Sequence, residues 1–420
     1  MKRLFFLSVL FLASCGQGAS VSTSLSSSVS FSSSGFSEES SSSQFSSSIS
    51  FSSSSEFGSS EGSIRETTVS EIRAIGETLV GSENEVGVAE SDCKVSFVAK
   101  MYSCLDAVTT KSGYGNRYKI LVADTTGYLY VKVPYASYEY LTKYDNQYGC
   151  YRFEGTVSLY NGEVEVTSDL KPVYLNETDI AVDWEILAEE NDSLETVYRD
   201  IYALKTNTKG IAFSGIVGLN LLCLARDFEN TNVYLTDGKN IVNMHGNAHL
   251  YTKFTPGFSY HVYAAKTIHN FRPGLEFVAA SVLEQPMSFQ TEDLQSMTAS
   301  EFYRYTYQVD KNDAYPSYSA LFENAYRFEG YVNYYEKDGK IYMVLEDAYK
   351  ENSYSSYTAA KDAKAVFLKN KNCVGIQTEK DEAACELLSC LDGKVEMILF
   401  PYLWNTLGYF QVYYYSCTLI

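Results

Sequence analysis

The sequence predicts a mainly β chain: three small five-stranded barrels in tandem, carried behind an export signal and a serine-rich tether. Three observations carry this. Arg117 to Asp169 alternates apolar and polar residues about two tight turns, Asp124-Thr-Thr-Gly127 and Asn161-Gly162, with a helix-compatible piece at Ala136 to Tyr144 between them. Variants of that strand–strand–helix–strand–strand order return twice downstream. The chain also carries 37 tyrosines and 23 phenylalanines, which suit sheet surfaces better than helices.

Residues 1–15 open with Lys2 and Arg3. An apolar run too short to span a bilayer follows, then small residues before Cys15, which together read as a cleaved export signal. Residues 16–63 are a serine tract broken by single Phe, Val and Ile residues. Such a stretch buries too little apolar surface to offset its ordering entropy, so it is expected to be a disordered tether. Its ends would average on the order of 40 Å apart. The remainder, on the order of 350 residues, is too long for one core and suits about three domains. The net charge of −19 opposes general nucleic-acid binding, which draws its affinity from Lys and Arg, and disfavours anionic lipid surfaces for the globular part.

The first domain is expected over 64–176. A short helix at Val69 to Ile75 leads it, Lys94 to Tyr102 is its first strand, and the hairpins of Arg117 to Asp169 follow. In the third strand Leu129, Val131 and Val133 would face inward, leaving Tyr128, Tyr130 and Lys132 together outside. Aromatics beside a cation at that position can stack bases or sugars. They can equally stabilise the sheet by cross-strand pairing or pack on a neighbouring domain. An acidic linker occupies 177–191. The second domain, 192–286, repeats the order with a helix from Glu195, a glycine-dotted strand at Gly210 to Leu219 and a hairpin over Asp237-Gly238. The third, 287–420, has a leading helix at Ala299 to Tyr305. It then returns the pentapeptide Tyr151-Arg-Phe-Glu-Gly155 as Tyr326-Arg-Phe-Glu-Gly330. In the first domain the pentapeptide begins the fourth strand; in the third it begins the first. Ala363 to Lys369, a helix from Glu379 to Leu391, and strands at Val395 to Leu403 and Tyr409 to Leu419 complete that domain.

Chemistry-bearing clusters are few. Cysteines other than Cys15 permit bridges, Cys93–Cys104 or one among Cys373, Cys385, Cys390 and Cys417, and equally permit buried thiols. None has zinc-site spacing. His245, His249, His261 and His269 all fall in the second domain. The i, i+4 pair His245/His249 contains a glycine and no glutamate, so surface or loop histidines are expected and no metal or other cofactor. Nucleophile elbows and phosphate loops are missing from the sequence, so no catalytic residue is assigned.

Leu12-Ala13-Ser14-Cys15 resembles the lipobox of bacterial lipoproteins. Tyr118 to Val133 and Tyr151 to Asp169 resemble OB-fold modules of the nucleic-acid-binding type. The resemblance implies lipidation at Cys15, with the lipid bilayer as one partner and the outer face of the cytoplasmic membrane as location. It also implies a binding face on strands two and three, at Tyr128, Tyr130 and Lys132. The expected function is a surface-anchored, non-enzymatic binding or adhesion protein whose ligand, an oligosaccharide, protein or nucleic acid, is not specified. Extracellular capture of single-stranded nucleic acid for a separate nuclease is the second expectation. An uncharacterised hydrolase using the second domain has the least behind it.

Overall fold

The computed structural model describes residues 64–81, 88–108, 117–143, 148–160, 163–176, 178–203, 211–227, 232–246, 250–269, 272–304, 321, 323–337, 340–351, 353–368, 389–391, 393–403 and 411–420. The signal, Cys15, the tether, the 161–162 turn, and residues 379–388 of the last expected helix lie outside the described residues. Among the described residues no helix is long and apolar enough to cross a membrane.

Period-2 alternation builds the first barrel. Leu129, Val131 and Val133 of β4 (Gly127–Pro134) are buried in one core with Phe97, Ile120, Val122, Phe153 and Val166. Around that core β2 (Val88–Val108), β3 (Arg117–Asp124), β4, β6 (Glu163–Thr167) and β5 (Cys150–Tyr160) lie side by side, and β5 pairs back onto β2 to close the ring. The third and fifth strands, β4 and β6, run parallel. α2 (Tyr135–Leu141) joins the third strand to the fourth and buries Leu141 in the core. Two short strands, β1 (Arg65–Glu66) and β7 (Val173–Tyr174), are added outside the ring.

The acidic linker is docked. Its α3 (Trp184–Leu187) buries Trp184, and β8 (Glu189–Glu190) adds in parallel to the first strand of the second barrel. That strand is β9 (Ile211–Asp227), and β10 (Asn232–Thr236), β11 (Ile241–His245), β13 (Arg272–Val282) and β12 (Ser259–His269) complete the ring back to β9. α5 (Leu250–Lys253) lies between the third and fourth strands. The third barrel closes as β14 (Tyr326–Lys337), β15 (Lys340–Glu346), β16 (Val366–Leu368), β18 (Gln411–Leu419) and β17 (Lys394–Leu403). Here α7 (Tyr357–Asp362) stands between the second and third strands. All three rings run first, second, third, fifth, fourth, the strand order of an OB barrel. The mainly β, three-barrel architecture and the strand order expected for the third barrel are therefore as the sequence predicts.

Each barrel is led by a helix that buries its first and fourth residues in the barrel core. These are Val69 and Ile72 of α1 (Val69–Glu77), Leu194 and Val197 of α4 (Leu194–Ala203), and Ala299 and Phe302 of α6 (Ala299–Arg304). One aspartate at the end of the second strand, or one residue past it, holds each helix. The N–H of Val69 donates to Asp124 Oδ2 (2.9 Å), that of Leu194 to Asp237 Oδ2 (2.8 Å), and that of Ala299 to Asp347 Oδ1 (2.6 Å). In the first two barrels the other carboxylate oxygen accepts N–H groups of its own turn, at Thr126 and Gly127 or at Lys239 and Asn240. The carboxylate therefore ties a helix start, whose N–H groups lack partners, to a hairpin.

The repeated pentapeptide takes part in a different equivalence. It begins β5, a fourth strand, and β14, a first strand, but these two are neighbours in a closed ring. Gly155 pairs with Val95 and Thr156 with Lys94; Gly330 pairs with Val395 and Tyr331 with Lys394. A Cβ on either glycine would stand 2.5 Å from a backbone oxygen of the following strand, Thr167 O or Glu346 O. Glycine is required there because the two backbones approach too closely for any side chain.

Candidate functional site: the outward faces of the second and third strands

In an OB barrel the outer face of the second and third strands is the usual ligand platform. The first barrel builds this face from Lys119, Leu121 and Ala123 of β3 and Tyr128, Tyr130 and Lys132 of β4. Leu121 and Ala123 are 0% exposed and Tyr130 is 1% exposed. Trp184 of the linker and Ile216, Ala265 and Val278 of the second barrel cover them. The Tyr128 hydroxyl accepts the Ile216 N–H at 3.1 Å, and Arg73 lies over the Tyr128 ring at 5.1 Å. Across the same junction Ser103 Oγ donates to Glu276 Oε1 at 2.7 Å.

The two cations of this face are committed as well. Lys119 and Lys132 both pair with Glu165 of β6, whose side chain is wholly buried. Burial pushes the Tyr130 phenol well above its ordinary value, and the nearby charge of Glu163 adds to the shift. The structure thus brings Tyr128, Tyr130 and Lys132 together on one face, as the alternation predicts, and packs that face into the junction between barrels one and two.

The second barrel repeats the arrangement. Leu222, Leu224, Tyr234 and Ile241 on its outer face meet Phe400 and Tyr413 of the third barrel and Ala325 just before it. The Tyr234 ring lies 4.8 Å from both Phe400 and Tyr413. Tyr202 donates to Glu323, and Asn240 Nδ2 donates to the Glu323 carbonyl at 3.4 Å. At both junctions a face that includes the second and third strands of one barrel meets fourth- and fifth-strand residues of the next, with β9 adding Ile216 at the first junction and Leu222 and Leu224 at the second. The third barrel covers its own face: Val344, Tyr335 and Phe367 pack under Tyr354 and Ala360, on and before α7. Tyr354 also donates to Glu346, and its N–H donates to Tyr334 O at 2.9 Å.

These covering contacts carry a sequence signal that alternation in one strand does not report. Leu221-Leu222-Cys223-Leu224 and Ile120-Leu121-Val122-Ala123 are apolar at consecutive positions, as expected of strands buried on both faces.

The histidines add little chemistry. His261 Nδ1 lies 2.7 Å from Asn220 Oδ1, and its Nε2 lies 3.5 Å from Glu190. His245 ends β11, His249 is outside the described residues, and the side chain of His269 is not described. Among the described residues no three His, Cys, Asp or Glu side chains converge to hold a metal. Open depressions among the described residues include one of about 260 Å³ lined by Lys94, Glu154 and Thr167. Another, of about 450 Å³, is lined by Tyr303, Arg304, Asp347 and Lys364. A further one, of about 570 Å³, lies at the first junction between Val182, Asp183, Trp184 and Glu185 on one side and Tyr263, Ala279 and Ala280 on the other. Burial raises the Tyr263 phenol above its ordinary value, and Glu190, Glu185 and Asp183 reinforce the shift.

No protein-family model matches the chain, and no curated protein does. Solved structures with some likeness include the Ifi202 HINa domain in complex with 20 bp double-stranded DNA (TM-score 0.24, 11% identity, 48% of this chain and 100% of that one). A murine DNA-binding protein bound to double-stranded DNA gives a TM-score of 0.20 at 16% identity, over 45% and 99% of the two chains. A Replication Protein A heterotrimer bound to single-stranded DNA gives 0.25 at 8% identity, over 78% and 93%. Superpositions this loose leave the topology resting on the strand pairing described above.

Proposed function

We propose that this chain is an exported, lipid-anchored, non-enzymatic binding or adhesion protein in which three OB barrels act as one body. The observation that carries the reading is the use of all three second/third-strand faces for internal packing. With those platforms taken, contact with a partner falls to surface left open, such as the junction groove around Tyr263. Its lining carries Asp183 and Glu185, and Glu190 adds its charge near Tyr263, which suits a cationic partner protein and repels phosphate. Lipidation at Cys15 and the serine tether would hold the barrels clear of the membrane.

Capture of single-stranded nucleic acid is the second reading, and the OB topology alone favours it. Against it stand the net charge of −19 and the commitment of Lys119 and Lys132 to Glu165. Screening the purified chain against protein, oligosaccharide and single-stranded DNA arrays separates the readings. The expected result is a protein or glycan ligand whose affinity falls at least tenfold in Tyr263→Ala, with no DNA retained even at low salt. Salt-sensitive DNA retention would install the second reading, and silence in all three arrays would remove the first.

A further inference from the structure

We infer that Cys390 and Cys417 form a disulfide that staples the last strand of the third barrel to the segment leading into its fourth strand. Their Sγ atoms stand 3.2 Å apart across 27 residues of chain. Two sulfurs in ordinary contact lie about 3.6 Å apart and bonded ones about 2.05 Å apart, so a small side-chain rotation closes the gap. The flanking backbones are fixed in place. Leu391 bridges to Val332 of β14, and the Gly393 N–H donates to Cys390 O at 3.2 Å. Cys417 is paired opposite Met397 in the β17–β18 ladder. Gly393 also packs directly against Leu419, since a Cβ there would stand 2.4 Å from Leu419 Cδ2. These contacts hold the two backbones, and so the two Cα positions, at a fixed separation.

The chemistry is thiol–disulfide exchange. Cys390 is 5% exposed and buried in the barrel core, whereas Cys417 is half-buried at its margin. An incoming oxidant, a disulfide of the glutathione type, therefore joins Cys417 first as a mixed disulfide and releases one thiol. The Cys390 thiolate then attacks Cys417 Sγ and expels the second thiol. Two protein thiols lose two electrons and two protons, and one oxidant disulfide becomes two thiols. The geometry does not depend on where the chain resides; export would only supply the oxidant.

The test uses the full chain, alkylated while denatured and digested without reduction. Oxidation with oxidised glutathione should yield a linked Cys390–Cys417 peptide pair about 2 Da lighter than the two thiol peptides together. Cys390→Ser should trap a stable glutathione adduct on Cys417, and Cys417→Ser should take up at least tenfold less adduct at Cys390. Linkage of either residue to Cys373 or Cys385 would overturn the inference, as would alkylation of both thiols in the oxidised wild type. The wild-type map decides the matter even if a serine variant fails to fold. If the native chain is reduced but closes readily with glutathione, the export reading fails and the pairing stands.

Discussion

Glu165 has no exposed surface and pairs with two lysines that are themselves almost buried. Removing one partner of a buried ion pair leaves the other charge desolvated without that attraction. Glu165→Gln should therefore cost about 3–5 kcal/mol, because it removes the carboxylate with which both buried cations pair; urea denaturation of the variant measures this. Lys266 presents the same logic with a pH signature. Burial works to lower its pKa, but the hydrogen bonds and charges of Asp200 and Glu189 outweigh this and raise it above the ordinary lysine value of 10.5. A basic group with a raised folded pKa lends stability that is fully present below the unfolded pKa and is lost as pH rises through the folded one. The wild type should thus lose stability relative to Lys266→Met as pH climbs above about 10.5. Parallel stability curves from pH 9 to 12 would refute the assignment.

At the scale of elements, the leading helices are written plainly. The first cap, expected near Ser70, falls on Thr68: Thr68-Val-Ser-Glu71 and Thr298-Ala-Ser-Glu301 both close as capping boxes in the structure. Their distant partners are not legible, because nothing near Val69 indicates that Asp124 will reach its N–H from across a barrel. Replacing Asp124, Asp237 or Asp347 by Ala should each cost about 1–2 kcal/mol, with Asn recovering part of that loss through its remaining acceptor. Thermal melts of the six variants decide this, and an unaffected Asp347→Ala would exclude the third barrel from the rule. The inward faces were equally legible, since alternation names Leu129, Val131 and Val133 without reference to any other strand. What covers Tyr130 was not, because cover is supplied by Ile216, Ala265 and Val278, more than eighty residues further along the chain. Only the unbroken apolar runs in β3 and β9 hinted that both faces would be buried.

At the scale of the whole molecule, residues 60–420 form one compact unit, and tyrosines such as Tyr130, Tyr234 and Tyr413 are buried at the junctions. The second barrel serves both junctions, receiving Leu121, Ala123 and Tyr130 from one neighbour and offering Tyr234 to the other. Expressed alone as residues 192–286 it would bare two apolar faces at once, and it should self-associate where the full set of barrels does not. Light scattering at matched concentration tests this, and a monodisperse isolated barrel would show that the junctions contribute little. Tyr234→Ala in the full chain should cost about 3–5 kcal/mol by emptying the space beside Phe400 and Tyr413. Comparing its denaturation midpoint with the wild type's checks that figure.

The pentapeptide shared by β5 and β14 carries a lesson about counting. A strand ring has no beginning, so a first strand and a fourth strand become interchangeable addresses once closure makes them adjacent. Copies of this barrel aligned by ordinal number fall three strands out of step at Gly155 and Gly330. Aligned by adjacency, they agree down to the Lys-Val dipeptide opposite each glycine. In such a ring, local sequence encodes who sits beside whom, and the order in which the chain visits the seats is a separate variable.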